Sequence, residues 1–168
     1  MPTANNSIVL IGMPGAGKST VGILLAKERG LDFIDTDISI QVQQGKTLQQ
    51  ISDESGYMVL RGHEEQVLLT ADISKKVVAT GGSAVYSEIG MARLKANATV
   101  IFLDVSLLVL EQRINNFANR GIARRPDQSF EDLFAERSAL YQRYGDVRID
   151  CSHLSIDAVL QAIVETYI

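Results

Sequence analysis

Two rhythms of apolar and polar positions alternate along this chain. Short unbroken apolar runs recur, and stretches with helical spacing separate them. "SIVLIG" (7–12) is the first run, ending in glycine as a buried parallel strand would. "KSTVGILLAKERG" (18–30) has helical periodicity through Val21, Leu24 and Leu25, with Gly30 as its stop. "DFID" (32–35) predicts a short second strand. "TLQQISDESG" and "YMVLRGHEEQVLLTADI" predict two helices meeting near Gly56. "KVVAT" (76–80) predicts a third strand, closed by Gly81 and Gly82, and "SEIGMARLKAN" a helix after it. "TVIFLDV" (99–105) is the fourth strand, after which Ser106 caps a helix over "LLVLEQRINNF". "SFEDLFAERSALYQRYG" (129–145) is helical, with Ser129 as cap and acids in its first turn. "VRID" (147–150) offers a fifth strand, and "SIDAVLQAIVETY" closes the chain as an amphipathic helix.

This alternation predicts an α/β fold: three αβα layers around a five-stranded parallel sheet. Ligands in such sheets bind beyond the carboxyl ends of the strands. Three of those ends carry informative residues, "GMPGAGKST", "DTD" and "GGS", and these are expected to converge on one crevice.

"GMPGAGKST" (12–20) fits G-x-x-x-x-G-K-[ST] between a strand and a helix. Gly12, Gly15 and Gly17 let the backbone turn its N–H groups toward phosphate oxygens, and the helix adds its positive end. The loop, with Ala16 and Thr20, is expected to cradle a nucleoside triphosphate. Lys18 is expected to reach the β- and γ-phosphates and the Ser19 hydroxyl to ligate Mg²⁺. "DTD" adds Asp35 and Asp37. Asp35 is the metal-side candidate, directly or through water. Asp37 either accepts or orients the acceptor hydroxyl or caps the following helix. Asp104, at the end of "VIFLD", is a second choice for the metal, or else steadies a helix start.

Composition narrows the field. With 168 residues, 46% hydrophobic and 21% charged, the chain is sized for one soluble domain. A net charge of −4 argues against nucleic acid and anionic membranes as partners. The single cysteine excludes an intrachain disulfide and fits a reducing cytosol. "MPTANNS" lacks the features of a signal peptide, and no apolar run is long enough to span a bilayer, so a cytoplasmic location is expected.

Against that acidic background, "NRGIARRPDQ" (119–128) gathers Arg120, Arg124 and Arg125. It is either a solvated loop or a lid closing over an anion. The acids that follow and the lack of aromatic residues beside it speak against nucleic acid.

In order, "GMPGAGKST", "DTD", "RGHEE", "ATGG" and "RSALY" make the chain similar to the shikimate kinases, within the nucleoside-monophosphate-kinase-like group of P-loop proteins. The likeness implies ATP-dependent phosphorylation of shikimate to shikimate 3-phosphate, with Mg²⁺, by a single domain with a lid over about 117–128, acting as a monomer. It implies that Asp37 contacts the acceptor hydroxyls and Asp35 serves the magnesium site. Arg61 and Arg137 would bind the acceptor carboxylate, Glu64 would support that pocket, and Gly81 and Gly82 would bring backbone against the acceptor. Arg113 would lie against the adenine and Arg120 would be the lid arginine reaching the phosphates. A guanidinium fork suits a carboxylate, which agrees with these roles. Four departures stand out: Ser83 replaces a third glycine, Tyr57 a glutamate, Leu60 an aromatic residue, and "GIARRP" the family's proline and two leucines after the lid arginine. They leave two rival readings: the same chemistry on another hydroxylated acid such as gluconate, and a nucleotide-binding module without an acceptor.

Overall fold

The computed structural model describes residues 6–114 and 121–167. Five strands form one parallel sheet: β1 (Ile8–Ile11), β2 (Asp32–Asp35), β3 (Lys76–Ala79), β4 (Thr99–Asp104) and β5 (Val147–Asp150), in the order β2-β3-β1-β4-β5. The central strand β1 is buried along its whole length, as its unbroken apolar run requires. The helices are α1 (Lys18–Arg29), α2 (Thr36–Gln44), α3 (Leu48–Ser55), α4 (Tyr57–Thr70), α5 (Glu88–Asn97), α6 (Leu107–Arg113), α7 (Phe130–Tyr144) and α8 (Ile156–Tyr167). The β1-to-β2 crossover runs opposite to the β3-to-β4 and β4-to-β5 crossovers, so right-handed connections put α1 on one face and α5 and α7 on the other. α8 packs on α1, which completes the first layer.

The predicted boundaries hold closely, but α2 entered the sequence reading only as a helix that Asp37 would cap, and one predicted helix falls short. The helix expected over 107–117 is described only to Arg113. Ile114 leaves helical geometry, and its buried side chain lies beneath the phosphate loop at Gly15. Ser106, Ser87 and Ser129 cap α6, α5 and α7, and Ser129 forms a reciprocal capping box with Asp132. The only cysteine, Cys151, follows β5 and is buried, its N–H donating to the Asp104 carbonyl at 2.7 Å.

A smaller apolar cluster lies apart from the main core. Ile40, Ile51, Leu60 and Val67, from α2, α3 and α4, close around Ala123. The segment after residue 120 is therefore docked. Gly121 donates its N–H to the Gln49 side chain at 2.7 Å. Its φ is +65°, and a Cβ there would fall 2.6 Å from the Gln49 backbone nitrogen. Close approach is thus what this glycine permits. Among the described residues, no helix is long and apolar enough to cross a membrane.

Candidate active site

The ends of β1, β2 and β3 converge as expected, on a cavity of about 380 Å³. From the phosphate loop, Gly15, Gly17, Lys18, Ser19 and Thr20 line it. Asp37, Glu64, Gly82 and Arg137 face it from the other side, and Gly121 to Ala123 form part of its wall.

Lys18 is buried, and its ammonium donates to the carbonyls of Gly12 (2.7 Å) and Met13 (2.8 Å). Burial lowers its pKa to about 8, against the pull of Asp37. Ala16 is buried inside the loop, where its N–H closes a turn on the Met13 carbonyl. Arg113, expected against the adenine, donates to the Gly15 carbonyl at 3.1 Å and so braces the loop from outside.

The two aspartates divide their work differently from the strand-end picture. Asp35 ends β2 and is itself the cap of α2, accepting from the N–H groups of Asp37 (2.9 Å) and Ile38 (3.3 Å). Its other oxygen accepts from the Ser19 hydroxyl at 2.5 Å. Asp37 thus belongs to the first turn of a helix, free of the capping duty. Burial and the Asp35 charge raise its pKa to about 6, opposed by Lys18 and Arg137. A hydroxyl and a carboxylate held together beside the phosphate loop are hard oxygen donors, a set that fits Mg²⁺. Asp104 is elsewhere: Arg148 grips it through Nε (2.7 Å) and Nη2 (2.6 Å) across the β4–β5 edge. That pairing commits the carboxylate to Arg148, away from the phosphate-loop site. Among the described residues, no group of three or more histidine, cysteine and acidic side chains is placed to hold a metal.

Thr36, between the aspartates, ties the two halves of the site together. Its hydroxyl donates to Glu64 (3.1 Å) and accepts from the Gly81 N–H (2.9 Å). Glu64 is buried and also accepts from Gly81 at 3.2 Å. Burial, then the Asp37 charge, pushes its pKa up to about 8. The folded state therefore holds a proton that the unfolded chain releases near pH 4.5. Stability contributed by this group is present below the unfolded value and is lost as pH rises through the folded one. The melting temperature of the ligand-free protein is expected to fall between about pH 5 and pH 8, and Glu64→Gln to flatten that slope. Calorimetry across the range checks this, and an unchanged slope in the variant would sink it.

Space at Gly81 and Gly82 is set by their neighbours. A Cβ on Gly81 would meet Asp37 Oδ1 at 2.5 Å, and one on Gly82 would meet Arg137 Nη1 at 2.6 Å. Ser83, the departure beside them, has φ −87°, which any residue adopts. Leu60 is buried and gives the cavity an aliphatic wall where an aromatic was expected from the resemblance.

Arg137 is fully buried on α7. Its Nη2 donates to the Ala123 carbonyl at 2.8 Å, while its Nε has no partner among the described residues. Arg61, on α4, rests its guanidinium on the Tyr86 ring at 3.6 Å, with Tyr57 at 5.1 Å, and its Nε likewise has no partner among the described residues. Arg120 lies outside the described residues. Arg124 donates to the Gln128 carbonyl (3.0 Å) and Arg125 pairs with Glu136 (3.3 Å), so both brace the turn before α7. Tyr86, Glu136, Gln49 and Thr36 were not singled out from the sequence. Thr36 alone had a signal, its place inside "DTD".

The family model for shikimate kinase matches residues 14–168. The chain belongs to the shikimate kinase family. Family members similar to it include the shikimate kinase of Mycobacterium avium (strain 104), 36% identical over 159 residues, covering 93% of this chain and 90% of that one. That of Xanthomonas campestris pv. campestris (strain 8004) is 37% identical over 153 residues, covering 89% and 84%. Among solved structures, the Acinetobacter baumannii shikimate kinase in complex with shikimate superposes with a TM-score of 0.87 at 30% identity, covering 97% of this chain and 93% of that one. The Aquifex aeolicus enzyme gives 0.81 at 29%, covering 95% and 94%. This family member therefore has the expected P-loop, nucleoside-monophosphate-kinase-like architecture, and it is an enzyme, a kinase of ATP-binding fold.

Proposed function

We propose that this chain transfers the γ-phosphoryl group of ATP to a hydroxyl of shikimate, giving shikimate 3-phosphate. The observation that carries the reading is one cavity in which the phosphate loop and Lys18 face Asp37 and a buried Arg137 whose Nε lacks a partner. A nucleoside triphosphate fits the first side. The second offers a base for a hydroxyl and a cation for a carboxylate.

Gly12, Gly15, Ala16, Gly17, Ser19 and Thr20 hold the phosphates with the positive end of α1 behind them. Lys18 exchanges its loop carbonyls for phosphate oxygens, and its burial keeps that exchange strong. Ser19 and Asp35 would hold Mg²⁺, which when bound would supply positive charge against the phosphates. Arg137 and Arg61 orient the acceptor through its carboxylate, a placement that supplies much of the rate. With a pKa near 6, Asp37 is largely ionised at neutral pH and takes the hydroxyl proton. Arg120, which lies outside the described residues, is assigned to the transferring phosphoryl group on the family resemblance alone.

A coupled assay for ADP release with Mg·ATP tests this. Shikimate is expected to stimulate turnover at least a hundredfold above the ATP background, and gluconate not at all. Stimulation by gluconate alone, or by neither acid, would overturn it. Omission of Mg²⁺ is expected to abolish turnover while shikimate still binds by calorimetry.

A further inference from the structure

Tyr86 sits on a short 3₁₀ turn (Ala84–Tyr86) that follows the paired glycines. Nothing in its sequence neighbourhood marks it, yet it touches both arginines assigned to the acceptor. Its ring carries the Arg61 guanidinium at 3.6 Å, and the Arg137 guanidinium lies 5.4 Å from the same ring. Its hydroxyl donates to Glu136 at 2.5 Å. The other oxygen of Glu136 accepts from Gln128 (3.1 Å) and pairs with Arg125 (3.3 Å).

This arrangement solves a problem of charge. Two guanidiniums close together repel, and burial together with the nearby Arg137 charge lowers the pKa of Arg61. A carboxylate between them would hold them, but it would occupy the donors that a ligand carboxylate needs. An aromatic face attracts a cation without taking its N–H groups. Glu136 supplies negative charge nearby, but its oxygens are committed to Tyr86, Gln128 and Arg125. Among the described residues, the Nε atoms of both Arg61 and Arg137 accordingly remain unpartnered.

We infer that Tyr86 is a positioning residue for acceptor recognition: its ring presents Arg61 to the acceptor carboxylate, and the bond to Glu136 is only a secondary tether for that ring. The inference rests on the proposed carboxylate role of Arg61. Through Arg125 and Gln128, the same carboxylate ties the ring to the segment that leads from the cavity wall into α7. The contacts of Tyr86 with Arg61, Arg137 and Glu136 all lie on the acceptor side.

Steady-state kinetics with shikimate on the full chain separates the possibilities. Tyr86→Leu, which removes the ring, is expected to raise the shikimate KM about tenfold, with kcat and the ATP KM within twofold of the parent. Tyr86→Phe keeps the ring and is expected to stay within threefold for all three constants. An unchanged shikimate KM in Tyr86→Leu would overturn the inference. So would a parallel rise in the ATP KM, or a Tyr86→Phe variant as impaired as Tyr86→Leu. Arg61→Ala, run alongside, tells two failures apart. If it raises the shikimate KM while Tyr86→Leu does not, only the role of Tyr86 falls. If it leaves the shikimate KM unchanged, the role of Arg61 falls and takes this inference with it.

Discussion

Asp37→Asn is expected to lower kcat by about a hundredfold or more, within the range for loss of a positioned base, while the ATP KM stays within about threefold. The substitution keeps the size of the side chain and its place in the first turn of α2. It leaves the Asp35 cap and the Ser19–Asp35 contact intact, so the nucleotide side is undisturbed. A pH profile adds an independent check. In the parent enzyme Asp37 must be ionised to accept a proton, so kcat falls as pH drops through about 6. That acid limb should be absent from the variant. A large rise in the ATP KM would place Asp37 on the nucleotide side instead.

Arg137→Met is expected to act on the acceptor. Charge-assisted bonds to a carboxylate contribute about 1.5–3 kcal/mol each. Loss of the fork should therefore lower kcat/KM for shikimate on the order of a hundredfold, with most of the change in KM. Two further consequences distinguish this from a general loss of structure. Arg137 holds the Asp37 pKa down, so the acid limb of the kcat profile should move to higher pH in the variant. The Ala123 carbonyl loses its donor, so amide exchange over 121–125 should accelerate while the strands stay protected. Unchanged shikimate kinetics would remove Arg137 from the acceptor site.

What could be read from the sequence was local. The glycines and Lys18 of the phosphate loop announce themselves because their spacing is the geometry of one strand–loop–helix unit. The strands and most helix ends were legible for the same reason, with caps such as Ser106 and Ser129 in the expected places. The order of motifs carried the family and, through it, Arg61 and Arg137. Relations between distant segments were not legible. Asp104 reads as a metal acid until β5 brings Arg148, 44 residues away, onto it. Gly121 reads only as part of a loop or lid until α3 is seen packed against it. Whether Asp35 or Asp37 caps α2 depends on where β2 ends, a boundary that periodicity fixes only to within a residue or two. Tyr86 had no signal at all, because its partners Arg61 and Glu136 lie 25 and 50 residues away.

The buried position of Cys151 makes the chain its own reporter. Burial raises the thiol pKa to about 11, so at neutral pH almost no thiolate is present to attack a labelling reagent. As no other cysteine exists, native protein is silent toward such reagents, and each labelled molecule records one opening of the end of the sheet at β5. The rate of that labelling, with and without nucleotide or shikimate, is a clock for how far a ligand at the distant cavity steadies the whole sheet.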